Sequence, residues 1–425
     1  MPQDGWKSRF KTLLTHTYHF DFSIEFLMTL IAFCQTSRGV LYPELLSEKI
    51  QRSYIPPEGL DKDELKIFYN KKMAIWERNY DYVNMPLVLI FSIIYGTQSD
   101  RFGRKGLLLL GSASFFIDTI IKILILWKTT DASLYFFYVA GSISGIMGDQ
   151  TILMTGINAF ISDKFKNSHL SIRMVSVSIF FSLGSFVAST IVKILIKYIS
   201  HITLLWIIEC IVIGMIAFII LWIKDCSNPS EEEKLLYQAL PMLSKMKNYL
   251  IDLYEFLIKR RSRKLKFLLF SSLILILMEK FIFGEEKNLI GIYTRLPPFN
   301  WRTEEYSTYK LVRPIVQILG MIIGSILFFK LLHLKDTIII IFSIISMAIC
   351  ILIIGFSRTS IGIYISLIFG CLHGFLNPLT YAFIAKIVDN NEIGKAYAIS
   401  GVISKLSDLL QSLILQNIYI STVGT

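Results

Sequence analysis

The chain has 425 residues, of which 53% are hydrophobic and 18% charged, and its net charge is +11. A soluble globular chain carries about 25% charged residues, and here the apolar residues gather in runs of roughly 20, the length that crosses a hydrocarbon core. That pattern argues against a single soluble core. The Lys and Arg residues lie between the runs, so they read as membrane topology rather than as a nucleic-acid surface, and no zinc, helix-turn-helix or stacking motif accompanies them.

Eleven apolar runs follow one another near 20–40, 82–98, 106–127, 133–160, 173–195, 202–223, 267–284, 308–330, 337–356, 360–384 and 396–418. Each is predicted to be helical, because the backbone has no water to bond inside lipid. With the N-terminus inside, the short inner segments hold Lys7, Arg9, Lys11, Arg101, Arg104, Lys105, Lys164, Lys166, Arg173, Lys330, Lys335, Lys386 and Lys395. The short outer segments hold only Lys128, Lys193, Lys197 and Arg358. This is the positive-inside bias, and it leaves 41–81 and 285–307 as long outer loops. The N-terminal stretch lacks the small-residue cleavage site of a secretory signal.

The expected organisation is an N-terminal six-helix bundle over 1–223, a basic cytoplasmic linker over 224–266, and a C-terminal bundle of five helices over 267–425. A six-plus-six arrangement would require one further helix: either the sequence is incomplete or the protein manages without it. In the linker, Asn228-Pro229-Ser230 precedes Glu231, Glu232 and Glu233, a helix-start pattern, and leucines recur at helical spacing to Leu257. The polybasic tail from Lys259 to Lys266 fits either an amphipathic helix on the inner membrane face or a solvated tether. The cysteines Cys34, Cys210, Cys226, Cys350 and Cys371 show no metal-ligand spacing, so neither a metal nor a cofactor is expected.

Between the second and third runs stands Gly96-Thr97-Gln98-Ser99-Asp100-Arg101-Phe102-Gly103-Arg104-Lys105. It resembles the major facilitator signature G-x-x-x-D-[RK]-x-G-R-[RK] at every fixed position. Gly96 lets a helix approach its neighbour, and Gly103 permits a tight turn. Asp100 can face a helix N-terminus or an arginine. Arg104 and Lys105 are expected to stay at the inner face. The resemblance implies a loop that latches the inner face and is broken as the two halves rock.

Most of the chain is also similar to the proton-coupled folate transporter family, solute carrier family 46. Ile24-Glu25 resembles that family's opening V-E-P, with Phe26 in place of proline. Asn158-Ala159-Phe160-Ile161-Ser162-Asp163 resembles its A-Y-I-x-D, followed by Arg173. Leu289 to Tyr293 and Pro297-Pro298-Phe299-Asn300-Trp301 resemble its L-Y and P-L-C-W segments. Lys386-Ile387-Val388 and Gly394-Lys395 resemble its S-K-L-V and E-x-G segments. The family's coupling glutamate, substrate-binding arginine, seventh-helix histidine and disulfide cysteine correspond here to Ser178, Tyr381, Ile282 and Asn300. The resemblance therefore implies the scaffold, without carrying over folate or its proton chemistry.

Ionisable residues inside apolar runs are functional candidates by default. Asp118 and Lys122 share a helix face at i,i+4 and can pair, either beside a solute path or as a tie between helices. Asp149, after Gly141, Gly145 and Gly148, is expected in mid-helix facing a cavity or a packed interface. Glu25 near the inner end of the first helix either snorkels or gates. Glu209 supports packing in a peripheral helix. Glu279, Lys280, Glu285, Glu286 and Arg313 could form an outer gate or a solvated rim. His373, between Gly370 and Gly374, either titrates in transport or packs. Lys405 and Asp408 face the cavity or pair across it. Tyr381 completes the candidate set.

The expectation is thus an all-α membrane protein of major facilitator fold, in the plasma or lysosomal membrane. It would move a small, anionic organic solute by alternating access, with protons as the candidate coupling ion. A receptor or scaffold that kept the fold but lost transport is the alternative. No nucleotide loop, G-x-S-x-G or H-E-x-x-H supports an enzyme.

Overall fold

A computed structural model describes residues 22–59, 61–165, 168–225, 248, 251, 254–294, 298–301, 303–389 and 392–422. At some of these positions, Asp100, Arg101, Glu285 and Glu286 among them, it describes the backbone alone. The helix expected over Asn228 to Leu257 falls mostly outside the described residues. Among the described residues the protein is helical and has no strand.

The helices of the first half are α1 (Phe22–Ser53), α2 (Lys62–Phe102), α3 (Lys105–Leu126), α4 (Phe136–Ile146), α5 (Asp149–Lys164), α6 (Ser168–Leu195) and α7 (His201–Trp222). Those of the second half are α8 (Arg263–Tyr293), α9 (Thr303–Ser325), α10 (Asp336–Phe356), α11 (Ser360–Phe369), α12 (Leu376–Ile387) and α13 (Ile393–Thr422). A π-helical turn, Ile326–Leu331, continues α9, and a 3₁₀ turn, Cys371–Phe375, joins α11 to α12.

Every apolar run lies in a helix or in a pair of consecutive helices. Among the described residues six helices are long and apolar enough to cross a membrane, and the pair Ser360–Phe369 and Cys371–Ile387, bent by 41°, makes a seventh if it is one span. The runs in α2, α4–α5, α8 and α13 contain polar groups or a break, so length and composition do not establish all eleven spans. Large apolar side chains such as Leu221, Trp222, Phe356 and Ile361 stand exposed, as lipid-facing residues do.

Three expectations are corrected. The outer segment 41–81 is not a long loop: α1 continues to Ser53 and α2 starts at Lys62. Water imposes no apolar requirement on a helix beyond the bilayer. The projecting ends are held by polar contacts, with Trp76 Nε1 donating to Tyr54 Oη at 2.9 Å and Lys49 Nζ to Asp131 Oδ1 at 2.6 Å. Likewise α8 reaches Tyr293, which shortens the segment 285–307. The run 133–160 is two helices, because Gly148 (φ 82°) and Asp149 (φ 50°) adopt left-handed backbone between α4 and α5. Asp149 therefore starts a helix rather than standing in the middle of one.

In the first half α1 packs on α6 and α7, α3 on α4, α5 and α7, and α2 on α4. In the second half α8 packs on α12 and α13, while α10 packs on α11 and α12. The halves meet where α13 lies against α2 and α5, and where α6 lies against α9 and α12. Gly96 makes the first of these contacts possible. A Cβ there would run into the Ala398 side chain and stand 3.4 Å from the Gly394 carbonyl oxygen, so any larger residue would separate α2 from α13.

Candidate functional site

The densest buried charge in the first half is built on α1, α2 and α3. Asp118 follows the apolar face of α3 into the helix packing and is 2% exposed. Its Oδ2 accepts from Arg38 Nη1 at 2.8 Å and from Lys122 Nζ at 2.8 Å, and its Oδ1 accepts from Tyr80 Oη at 2.9 Å. Arg38 also donates to Thr119 Oγ1 at 3.1 Å and lies 4.1 Å from the centre of the Phe115 ring. Lys122 sits 4.1 Å from the Tyr80 ring centre and 5.3 Å from that of Tyr42. Two cations thus share one carboxylate inside an aromatic wall. Such a site tolerates its charges only while they remain paired.

Asp149 extends this polar region towards the second half. Ser144 Oγ donates to its Oδ1 at 3.3 Å, and Lys405 Nζ of α13 stands 3.5 Å from its Oδ2. Lys405 is also within electrostatic reach of Asp81 on α2 and Asp408 on α13. The Lys405–Asp149 pair joins the two halves through a charge contact that any separation of α13 from α5 must break.

A second buried group lies in the second half. Glu279 of α8 stands 3.8 Å (Oε1) from His373 Nε2, and its Oε2 accepts from Asn377 Nδ2 at 3.2 Å. His373 belongs to the 3₁₀ turn, not to a continuous helix. Glu279 is buried rather than part of a solvated rim. Arg313 lies within α9.

The signature residues organise the inner end. Gly103 turns the chain at φ 97°. Arg104 is buried among these helix ends. It is 3% exposed, donates from Nε to Asp163 Oδ2 at 2.8 Å, and donates from Nη1 to Ser99 Oγ at 2.6 Å. Burial follows because both partners lie in the helix-end cleft that its planar fork can reach. Lys105 Nζ donates to the Ile220 carbonyl at 2.8 Å. Asp225 caps the start of α3, accepting the Arg104 and Lys105 backbone N–H groups at 2.9 and 3.2 Å. The side chains of Asp100 and Arg101 lie outside the described residues.

Glu25 does not snorkel. It is 0% exposed, and its Oε1 stands 2.9 Å from Arg173 Nη1, tying α1 to α6. Nearby, Tyr397 Oη of α13 donates to the Tyr381 carbonyl at 3.0 Å and lies 2.7 Å from Ser162 Oγ of α5. Lys386 Nζ of α12 bonds Ser171 Oγ of α6 at 2.7 Å and pairs with Asp336 Oδ2 of α10 at 2.5 Å. Lys259 Nζ reaches Asp389 Oδ2 at 2.6 Å and Glu392 Oε1 at 2.7 Å, fastening the end of the linker to the turn before α13. Hydrogen bonding and then charge from Lys259 hold the Asp389 carboxyl below the usual range. The bonds to Asp389 and Glu392 raise the Lys259 ammonium above its own.

The structure therefore brings Asp118, Lys122 and Asp149 into one polar region and sets His373 apart with Glu279. Sequence reading missed Arg38 and Asp225. Arg38 was visible as a charge inside the 20–40 run, whereas Asp225 had no local signal.

The sequence pattern of the Major Facilitator Superfamily matches residues 83–410. A Drosophila melanogaster protein described as a probable peptidoglycan muropeptide transporter SLC46 is 20% identical over 423 residues, covering 97% of this chain and 80% of the relative. The human organic anion transporter MFSD10 (TETRAN) superposes with a TM-score of 0.69 at 14% identity, over 93% of this chain and 92% of the other. The proton:xylose symporter XylE gives 0.64 at 14% identity, over 94% and 90%. At such identities the structural likeness establishes the fold. With the sequence pattern spanning most of its length, this chain belongs to the major facilitator superfamily and is a multi-pass membrane transporter.

Proposed function

We propose that the protein is a secondary active transporter of a small anionic organic solute, working by alternating access between two bundles. Residues 1–223 form one bundle and 267–425 the other, joined by the linker 224–266. The observation that supports this most is the chain of buried and half-buried charges from Arg38 and Lys122 through Asp118 to Asp149 and Lys405. Cations held by displaceable carboxylates offer a solute anion a place to bind, and the last pair in that chain bridges the moving halves. An arriving carboxylate competes with Asp118 for Arg38 and Lys122, and the bundles then rock about the site. Protons are the proposed coupling ion, with Asp118, Asp149 and His373 as candidate carriers. The plasma membrane and the lysosomal membrane are the proposed locations, and surface biotinylation separates them.

The test is uptake by proteoliposomes under an imposed pH gradient. The panel holds carboxylated solutes, with a muropeptide, named in the fly relative's description, as the first. The expected result is saturable uptake that Asp149→Asn abolishes with normal insertion. Unchanged flux in that variant removes Asp149 from the site. Absence of flux for every solute favours the alternative, a receptor or scaffold.

A further inference from the structure

Glu209 lies in the middle of α7, a helix otherwise almost wholly apolar. It is 1% exposed, and among the described residues neither of its carboxyl oxygens has a hydrogen-bond partner. Helix α7 packs on α1 and α3. The charged and titratable groups near Glu209 are Cys34 and Arg38 from α1 and Asp118 from α3, with the Thr119 hydroxyl beside them. Thr119 is close enough to hydrogen-bond Glu209 and Arg38 close enough to attract it, but both are engaged elsewhere. Thr119 gives its hydroxyl hydrogen to the Phe115 carbonyl at 2.9 Å, and Arg38 spends Nη1 on Asp118 and Thr119. A buried carboxyl whose nearby cation is already held by another carboxylate takes up a proton rather than remain charged. Once protonated, it can donate to the Thr119 oxygen.

We propose that Glu209 is a proton-binding residue and the second partner of Arg38. While Arg38 is held by Asp118, Glu209 is neutral. When Asp118 gives Arg38 up, the guanidinium turns to Glu209, the carboxyl ionises, and its proton leaves to water. Proton release is thereby tied to the state of the Arg38–Asp118 pair. The inference rests on the transport reading only in naming a solute anion as what disturbs that pair; the protonation itself needs no solute.

The experiment is infrared difference spectroscopy of the full chain in lipid nanodiscs at neutral pH, without solute. Subtracting the Glu209→Gln spectrum from that of the wild type is expected to leave the carbonyl band of a protonated carboxylic acid. In Asp118→Asn, where Arg38 has lost its carboxylate, that band is expected to vanish. Labelling the glutamates with ¹³C is expected to shift the band in unsubstituted protein, which keeps the test valid should Glu209→Gln fail to fold. No band in the difference, or no shift on labelling, overturns the assignment. A band that persists in Asp118→Asn overturns the coupling to Arg38. Because no solute is used, these outcomes are separate from a failure to detect flux.

Discussion

Replacing Arg173 with methionine keeps most of the side-chain volume but leaves Glu25 buried without its cation. The two side chains are 4% and 0% exposed and meet at 2.9 Å. Breaking a buried pair from one side costs about 3–5 kcal/mol, because the remaining charge loses its counter-ion without gaining water. At about 2 °C per kcal/mol, the value for larger domains, the midpoint of thermal unfolding falls by about 6–10 °C. Glu25→Leu should behave similarly by taking the counter-ion from Arg173, whose guanidinium lies 4.5 Å from the Phe165 ring centre. The double variant removes both charges and returns to within about 1–2 kcal/mol of the original, since apolar replacement of a whole pair is often neutral. Thermal unfolding of the purified protein in one detergent, compared across the four forms, reads all of this. Single variants indistinguishable from the original, or a double variant that loses the sum of both singles, would refute the reasoning.

Other consequences follow from the inner end. Gly103→Ala forces a side chain into the left-handed backbone and against the Asp225 carboxylate, so it should lower stability by about 1–3 kcal/mol in the same assay. Asp225→Ala strips two backbone N–H groups at the start of α3 of their acceptor and should cost about 1–2 kcal/mol. The Lys259–Asp389 tether has two pH limits. Asp389 is lowered, so its contribution is present above the ordinary carboxylate range and lost as pH falls through its depressed value. Lys259 is raised, so its share is complete below the ordinary lysine range and lost as pH rises through its elevated value. A spin label at Ile258 should therefore be least mobile around neutral pH, with mobility rising in acid or high salt; mobility independent of both contradicts the tether.

Much of the fold was legible because lipid narrows the choices. Every apolar run became helix, since a backbone in hydrocarbon has no other means of bonding itself. Helix ends beyond the bilayer were not legible: the outer parts of α1 and α2 are polar, and their order depends on contacts such as Trp76 with Tyr54 and Lys49 with Asp131. Pairing within one helix, Asp118 with Lys122, could be read from spacing alone. The partners that complete the site could not, because Arg38, Tyr80 and Lys405 come from helices whose rotation only tertiary packing sets. The break at Gly148 and Asp149 was hidden inside a continuous apolar run. Asp225 caps the start of α3 from more than a hundred residues away in sequence, a separation that no local pattern encodes.

Alternating access requires the contact between α5 and α13 to open and close. A Cβ at Gly401 of α13 would stand 3.2 Å from Thr155 Oγ1 of α5 and 2.8 Å from Thr151 Cγ2, so cysteines at 155 and 401 come close enough to be bridged with a small shift of Thr151. The most direct test is a Thr155→Cys/Gly401→Cys pair, oxidised in proteoliposomes, with the bond confirmed by mass spectrometry and uptake measured before and after reduction. Loss of uptake on oxidation and its recovery on reduction is the predicted result. Full uptake with the bond intact would contradict the account.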